Sequence, residues 1–196
     1  MILTVNEKHV LRFLAVSTRK NYSINEIAKA CKLTPNGVHK LLAKLEKEDI
    51  LKASKIANIK AYKLNFESEK TVRVLELALM SDAIEGRVKL RKEDLKPLKA
   101  VTKACVLFGS YITTKKEPRD LDILFVLEKK NFEAYKRVLS KVQDVTPVKI
   151  QDVVQTVDDI EQNLKKNDPI VAASLREGIV LWGFEVIVEV IKNASK

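Results

Sequence analysis

The sequence predicts an α+β protein, with a helical N-terminal part that ends in a hairpin and a C-terminal part built on a mixed sheet. Apolar residues recur at helical spacing in several segments, and most of these segments follow a residue type that caps helices. Short apolar runs of strand length lie between them. With 196 residues, of which 46% are hydrophobic, the chain is long enough for one large domain or two small ones.

The net charge of +10 is unevenly distributed along the chain. Residues 1–70 hold 14 basic and 7 acidic side chains, a net charge of +7, whereas residues 71–196 hold 22 and 19, a net charge of +3. Because polyanions are attracted to clustered positive charge, the first third is the part expected to face a polyanion.

Cysteine content and hydropathy limit the possible compartments. The two cysteines, Cys31 and Cys105, exclude a disulfide framework and lie among apolar neighbours, so they are expected to be buried thiols in a reducing environment. No signal-peptide pattern opens the chain, and no apolar run approaches the ~20 residues of a membrane span. We therefore expect a soluble, cytoplasmic protein with no membrane partner.

Three helices are predicted in the first 50 residues. The first covers residues 6–17. The second begins after Ser23, which forms a capping box with Glu26, because each side chain can satisfy a free backbone N–H at the helix start. The third begins at Thr34, the expected N-cap, with Pro35 at the first helical position.

Two extended stretches follow the third helix. They cover Leu51–Ile56 and Ile59–Leu64, with Asn58 as the turn signal between them. The segment SINEIAKACKLTPNGVHKLLAKLEKEDILKASKIANIKAYKL resembles the winged helix-turn-helix family. The resemblance implies that the helix from Thr34 enters the major groove of duplex DNA and that the hairpin 51–64 is the wing.

The candidate DNA contacts are polar or basic residues on this helix and hairpin, because lysines can neutralise phosphates and the first residues of a recognition helix can reach base edges. They are Thr34, Asn36, His39, Lys40 and Lys44 on the helix and Lys55 and Lys60 on the hairpin. The alternative interpretation is a solvated lysine face on a module that docks another protein. No aromatic residues alternate with the lysines, which argues against a reader of single-stranded nucleic acid.

The predicted domains are a winged helix at 1–67, a linker helix and junction at 68–100, and a second domain at 101–196. Residues 71–85 form a helical stretch with too many apolar side chains for a free surface helix. This helix is expected to pack between the domains or against a second copy of the chain, which leaves a homodimer open.

The second domain is predicted to begin with a buried strand, Ala104–Phe108, followed at once by Gly109 and Ser110. After a polar stretch, a second strand covers Asp120–Leu127. Later expected elements are a helix from Asn131 to about Val142, a strand at Val148–Val154, a helix from Thr156 to Asn167, a helix from Asp168 to Glu177 that stops at Gly178, a short strand at Ile179–Leu181 and a terminal helix at 184–193.

Asp120 and Asp122 carry the candidate chemistry. Residues two apart on a strand point to the same side, so the two carboxylates lie side by side. Their repulsion is relieved by a divalent cation such as Mg²⁺, which prefers oxygen ligands. Gly109 allows a polyanion to approach the backbone, and Ser110 adds a hydroxyl that can hold a phosphate.

The pattern G-S-x9-D-x-D between apolar strands resembles the nucleotidyltransferase superfamily of polymerase-beta type, in its minimal nucleotidyltransferase branch. The resemblance covers about residues 101–183 and includes the closing segment LREGIVLWG. It implies a third carboxylate, for which Asp152 is the matching position. It also implies two Mg²⁺ or Mn²⁺ ions and a nucleoside triphosphate, with ATP expected, whose nucleoside monophosphate is joined to an acceptor hydroxyl.

Three of these assignments have a competing interpretation. Asp120 and Asp122 could instead belong to a solvated strand start. Asp152 could be a strand-end acid that faces water. Three basic residues of the polar stretch, Lys115, Lys116 and Arg119, could bind phosphate or could belong to a solvated loop.

Three functions therefore remain open at this stage. The first is a metal-dependent nucleotidyltransferase that carries a DNA-binding winged helix. The second is a DNA-binding transcriptional regulator whose nucleotidyltransferase-like domain is a nucleotide sensor or is inactive. The third is an antitoxin-like nucleotidyltransferase that modifies a toxin-like protein partner.

Overall fold

The structure is a computed structural model that describes residues 2–18, 20–56, 58–81, 84–113, 118 and 120–196. Within these residues, helices surround two separate β-sheets, one of three strands and one of four. The predicted α+β class is therefore confirmed. No helix in the described ranges is long and apolar enough to cross a membrane.

The N-terminal part contains three helices and the three-stranded sheet. Capping boxes open the first two helices, Thr4 with Glu7 and Ser23 with Glu26, and the Thr34 side chain accepts a hydrogen bond from the Gly37 N–H to open the third. The strands are antiparallel in the order β1-β3-β2. The elements are α1 (Val5–Val16), β1 (Tyr22–Ser23), α2 (Ile24–Cys31), α3 (Pro35–Lys47), β2 (Leu51–Ile56) and β3 (Ile59–Leu64).

Helices connect this part to the second sheet and then surround that sheet. The sequence pattern predicts no helix or strand for the charged segment 87–100. In the structure, its first part lies in the helix Gly86–Leu95 and its last part forms a 3₁₀ turn, Lys96–Ala100. The remaining elements are α4 (Glu69–Leu79), α5 (Gly86–Leu95), β4 (Ala104–Phe108), α6 (Ser110–Thr113), β5 (Asp120–Val126), α7 (Phe132–Val145), β6 (Lys149–Gln155), α8 (Val157–Lys165), α9 (Pro169–Glu177), β7 (Ile179–Trp182) and α10 (Phe184–Ala194).

The four-stranded sheet has the order β6-β5-β4-β7, and its two faces are covered by different helices. Strand β4 is antiparallel to β5 and β7, whereas β5 is parallel to β6. One face, which includes Leu124, packs with α8, α9 and α10. The other, which includes Ile123 and Phe125, packs with α5, α7 and the 3₁₀ turn. Alternate residues of β5 therefore belong to two different cores.

One hydrophobic core joins the two parts of the chain. It runs from α1, α2, α3 and α4 to α8, α9, α10 and one face of the second sheet. Helix α4 packs on both α1 and α10, so this apolar helix lies between the two parts of the chain. Of the two cysteines, Cys105 is buried as predicted, but Cys31 is only half-buried, because it ends α2 at the surface.

Candidate functional site

Gly109 and Asp122 meet where β4 ends. Phe108, the last residue of β4, pairs with Asp122 of β5. Gly109 then takes a left-handed conformation with φ +75°. A Cβ on Gly109 would clash with the Asp122 carboxylate, so only glycine lets this carboxylate lie directly against the backbone of the turn.

Asp120 and Asp122 lie on the same side of β5, as the sequence predicts, and both are half-buried. Burial raises the pKa of Asp122, and the negative charge of Asp120 raises it further. A pair of partly desolvated like charges is unfavourable without a counter-charge. The arrangement therefore favours a proton or a cation between them.

Asp152 does not join this pair. In the parallel ladder of β5 and β6, Asp152 pairs with Ile123, so it lies on the opposite face of the sheet from Asp122. The Tyr135 hydroxyl of α7 donates a hydrogen bond to Asp152 Oδ2 at 2.8 Å. The structure thus corrects the expectation of a three-acid cluster, because the register of β6 gives Asp152 a different neighbour.

Neutral and basic residues occupy the β6 positions beside the acidic pair. Gln151 pairs with Asp122, and Lys149 pairs with Asp120. Both β6 residues lie on the face where a third carboxylate would have to lie. Among the residues that the structure describes, no three His, Cys, Asp or Glu side chains come together so as to hold a metal ion.

The remaining predicted nucleotide ligands divide into two groups. Ser110 is exposed at the start of α6, directly after Gly109. The three basic candidates, Lys115, Lys116 and Arg119, lie outside the described residues, so their role stays a prediction.

The predicted DNA contacts fall on an exposed surface. Asn36, His39 and Lys40 are exposed on α3, and Lys55 is exposed on β2. Thr34 is also exposed, but its side-chain oxygen accepts the hydrogen bond that caps α3.

Two of the predicted DNA contacts form ion pairs within the protein. Lys44 Nζ lies 2.8 Å from Oε1 of Glu7, which is only 4% exposed. Lys60 Nζ lies 2.7 Å from Oε2 of Glu46. Lys44 therefore has a structural role, because moving it to a phosphate would leave a buried carboxylate without its counter-charge.

Arg12 is a linking residue that sequence reasoning missed. From α1, its guanidinium donates to the carbonyl oxygens of Ala78 at 2.8 Å, Leu79 at 2.7 Å and Gly178 at 2.7 Å. It therefore ties the C-terminal end of α4 to the turn before β7. The only signal in the sequence is a basic residue between the apolar Leu11 and Phe13.

The chain matches no protein-family model, no curated protein and no solved structure.

Proposed function

We propose that this protein is a DNA-binding regulator whose second sheet binds a divalent metal together with the phosphates of a nucleotide and does not transfer that nucleotide. The observation that carries the proposal is the pairing of Asp122 with Gln151, because, among the residues that the structure describes on β5 and β6, it leaves two carboxylates on that face and no third.

The order of elements in the N-terminal part supports DNA binding. Helix α1, strand β1, helices α2 and α3 and the hairpin β2–β3, in a sheet of order β1-β3-β2, match the winged helix-turn-helix resemblance of the sequence. Helix α3 is the recognition helix of this proposal, with Asn36, His39 and Lys40 as its exposed polar residues. Lys55 on the hairpin adds a phosphate contact.

The acidic pair fits a metal that arrives with phosphates. Mg²⁺ keeps several waters and is usually held by one or two carboxylates plus substrate phosphates. Asp120 and Asp122 provide that number of carboxylates, and the clash that a Cβ on Gly109 would cause shows how closely the turn approaches one of them. A bound metal would offset the carboxylate repulsion and the charge of the phosphates.

Transfer of the nucleotide needs more than this pair. An acceptor hydroxyl must lose its proton, and a positioned base or a further metal ligand normally assists that step. On the face of Asp122, the neighbouring strand offers the neutral amide of Gln151 and the cation of Lys149. The carboxylate of Asp152 lies on the other face, where it accepts a hydrogen bond from Tyr135. Binding without transfer is therefore the activity that this geometry favours.

Titration of Mg-ATP binding tests the acidic pair. Asp122→Asn is expected to weaken Mg-ATP binding about tenfold or more, because it removes a charged ligand. Asp152→Asn is the matched control and should bind Mg-ATP as the wild type does. The proposal is wrong if the Asp152 variant loses Mg-ATP binding. It is also wrong if the wild type transfers label from ATP and this variant does not, because Asp152 would then act with Asp120 and Asp122 in a nucleotidyltransferase.

Adding a third acid provides the reciprocal test. Gln151→Asp places a carboxylate opposite Asp122 and is expected to raise Mn²⁺ affinity about tenfold, because affinity for hard cations rises with ligand charge. Gln151→Asn keeps position 151 neutral and should leave Mn²⁺ affinity unchanged. Equal Mn²⁺ affinities for the two variants would show that position 151 does not face the metal.

A further inference from the structure

Lys149 flanks the acidic pair on the side away from Gly109. It is the first residue of β6 and pairs with Asp120 in the parallel ladder of β5 and β6. On the other side of β5, Phe108 pairs with Asp122 and leads into the turn at Gly109. The two carboxylates therefore lie between this turn and Lys149, with one strand spacing of about 4.8 Å on each side.

The Lys149 side chain lies on the same face of the sheet as the two carboxylates. Paired residues of neighbouring strands point to the same side, so Lys149 and Asp120 share a face. Gln151, two positions further along β6, shares this face and pairs with Asp122. The flexible stem of a lysine lets its ammonium reach either the carboxylates or a ligand that is bound to them.

The Lys149 ammonium has no partner among the residues that the structure describes. The residue is exposed, and within the described ranges neither an ion pair nor a hydrogen bond holds its ammonium, although Asp120 is its direct neighbour in the ladder. Lys44 and Lys60 differ in this respect, because each is paired with a carboxylate of the protein. Lys149 can therefore respond to a ligand at the acidic pair without breaking an existing contact.

A free divalent cation and a cation bound to phosphates interact with this ammonium in opposite ways. The free ion is attracted by the two carboxylates but repelled by Lys149. In a metal–phosphate complex, the carboxylates bind the metal, and the phosphate oxygens accept charge-assisted hydrogen bonds from the ammonium. Lys149 therefore lowers the affinity for the first ligand and raises the affinity for the second.

The formal charges of the three side chains support the same distinction. With Asp120 and Asp122 ionised, Lys149 leaves a net charge of −1 on this face, and a divalent ion would change it to +1. An anionic phosphate relieves that positive excess. Without Lys149, the divalent ion alone would neutralise the two carboxylates, and the site would need no phosphate.

We propose that Lys149 makes the acidic pair selective for a divalent metal that is bound to phosphates, against the free metal ion. This inference rests on the proposed metal–nucleotide site and names the residue that decides which form of the metal occupies it. The protein then responds to the metal–nucleotide complex rather than to the concentration of the metal itself.

The test compares two ligands, Mn²⁺ alone and Mn-ATP, by calorimetric titration. Lys149→Met removes the charge and keeps an unbranched side chain. It is expected to raise the affinity for Mn²⁺ roughly three- to tenfold at low salt, because a unit charge several ångströms away repels a divalent ion by that amount in water. The same variant should bind Mn-ATP about tenfold more weakly, because it loses a hydrogen bond to a charged group.

Two further variants at this position and one control complete the series. Lys149→Glu adds a carboxylate, so it should bind Mn²⁺ more tightly than Lys149→Met and bind Mn-ATP more weakly. Lys149→Arg keeps the charge and should keep both affinities within about twofold. Lys141→Met removes the same charge from an exposed lysine of α7, which packs on the other face of the sheet, and should change neither affinity.

The proposal requires that the two affinities of Lys149→Met change in opposite directions. Loss of folding cannot produce this result, because an unfolded variant would lose both ligands. If both affinities change in the same direction, or if neither changes, Lys149 does not select the ligand and the inference is wrong. Wild-type protein that binds neither Mn²⁺ nor Mn-ATP would instead refute the metal–nucleotide site itself, so the two failures are distinguishable.

Discussion

Replacing Gly109 by alanine should separate the stability of the fold from the function of the acidic pair. Gly109 has φ +75°, and a methyl carbon built there would fall 2.1 Å from Asp122 Oδ2. Gly86 has φ +52° and nothing within 4 Å of the same position. Gly86→Ala therefore reports the cost of the left-handed conformation alone, and Gly109→Ala adds the collision with the carboxylate.

The expected magnitudes follow from these distances. A left-handed conformation costs an alanine roughly 1–2 kcal/mol, part of which is offset by lower entropy of the unfolded chain. The Asp122 carboxylate must then leave its present rotamer, which adds about 1 kcal/mol. However, Oδ2 must move by about 1.3 Å to reach ordinary contact at 3.4 Å. Metal–ligand distances tolerate only about 0.2 Å, so metal binding should be weakened although the protein still folds.

Urea unfolding and Mg-ATP titration check this prediction together. Gly109→Ala should unfold within about 1 kcal/mol of Gly86→Ala but bind Mg-ATP about tenfold or more weakly. Gly86→Ala should bind Mg-ATP as the wild type does. If Gly109→Ala retains wild-type affinity, the Asp122 carboxylate in its present position is not a metal ligand, and the reasoning on the acidic pair fails.

Three further predictions concern stability and DNA binding. Trp182 Nε1 donates a hydrogen bond to the buried Thr102 Oγ1 at 3.1 Å. Thr102→Val should therefore lower the free energy of unfolding in urea by about 1–3 kcal/mol and change the fluorescence emission of this single tryptophan. An unchanged spectrum would contradict the assigned bond. Burial raises the pKa of Glu7, but the hydrogen bonds from Lys44 and Thr4 and the charge of Lys44 together hold it below 4.5. This stabilisation is present above that pH and is lost as the pH falls through the folded pKa. Lys44→Met should therefore shift acid unfolding, followed by circular dichroism, to higher pH, whereas the exposed Lys40→Met should not; equal midpoints would exclude the role of Lys44. Lys40→Ala should lower the slope of log duplex affinity against log salt by about 1, and an unchanged slope would remove Lys40 from the interface.

Most of the secondary structure could be predicted from local signals. The capping box at Thr156 with Asp159 and the Asp168 cap before Pro169 start α8 and α9 as expected. Predicted strand bounds differ from the observed ones by at most one residue at an end, as for β6, expected at Val148–Val154 and found at Lys149–Gln155. These signals succeed because a helix start or a strand depends on a few neighbouring residues.

The partners of charged side chains could not be predicted in this way. The sequence predicts Lys44 as a DNA contact, and the structure shows that its ammonium is paired with Glu7, 37 positions away in the chain. Arg12 bonds carbonyl oxygens that lie 66 to 166 positions away. No spacing rule covers such contacts, because they exist only after helices from distant parts of the chain have packed on one another.

The sequence by itself determined the α+β class, the order of the elements and the neighbouring positions of Asp120 and Asp122, since residues two apart on one strand must share a side. Only the tertiary structure decided which β6 residue faces them. The pattern Lys149-Ile150-Gln151-Asp152 contains one acid, and a shift of one residue in the register would place it beside Asp122. The register depends on how both faces of the sheet pack, and in this packing Asp152 lies on the face of Tyr135, so Gln151 lies opposite Asp122.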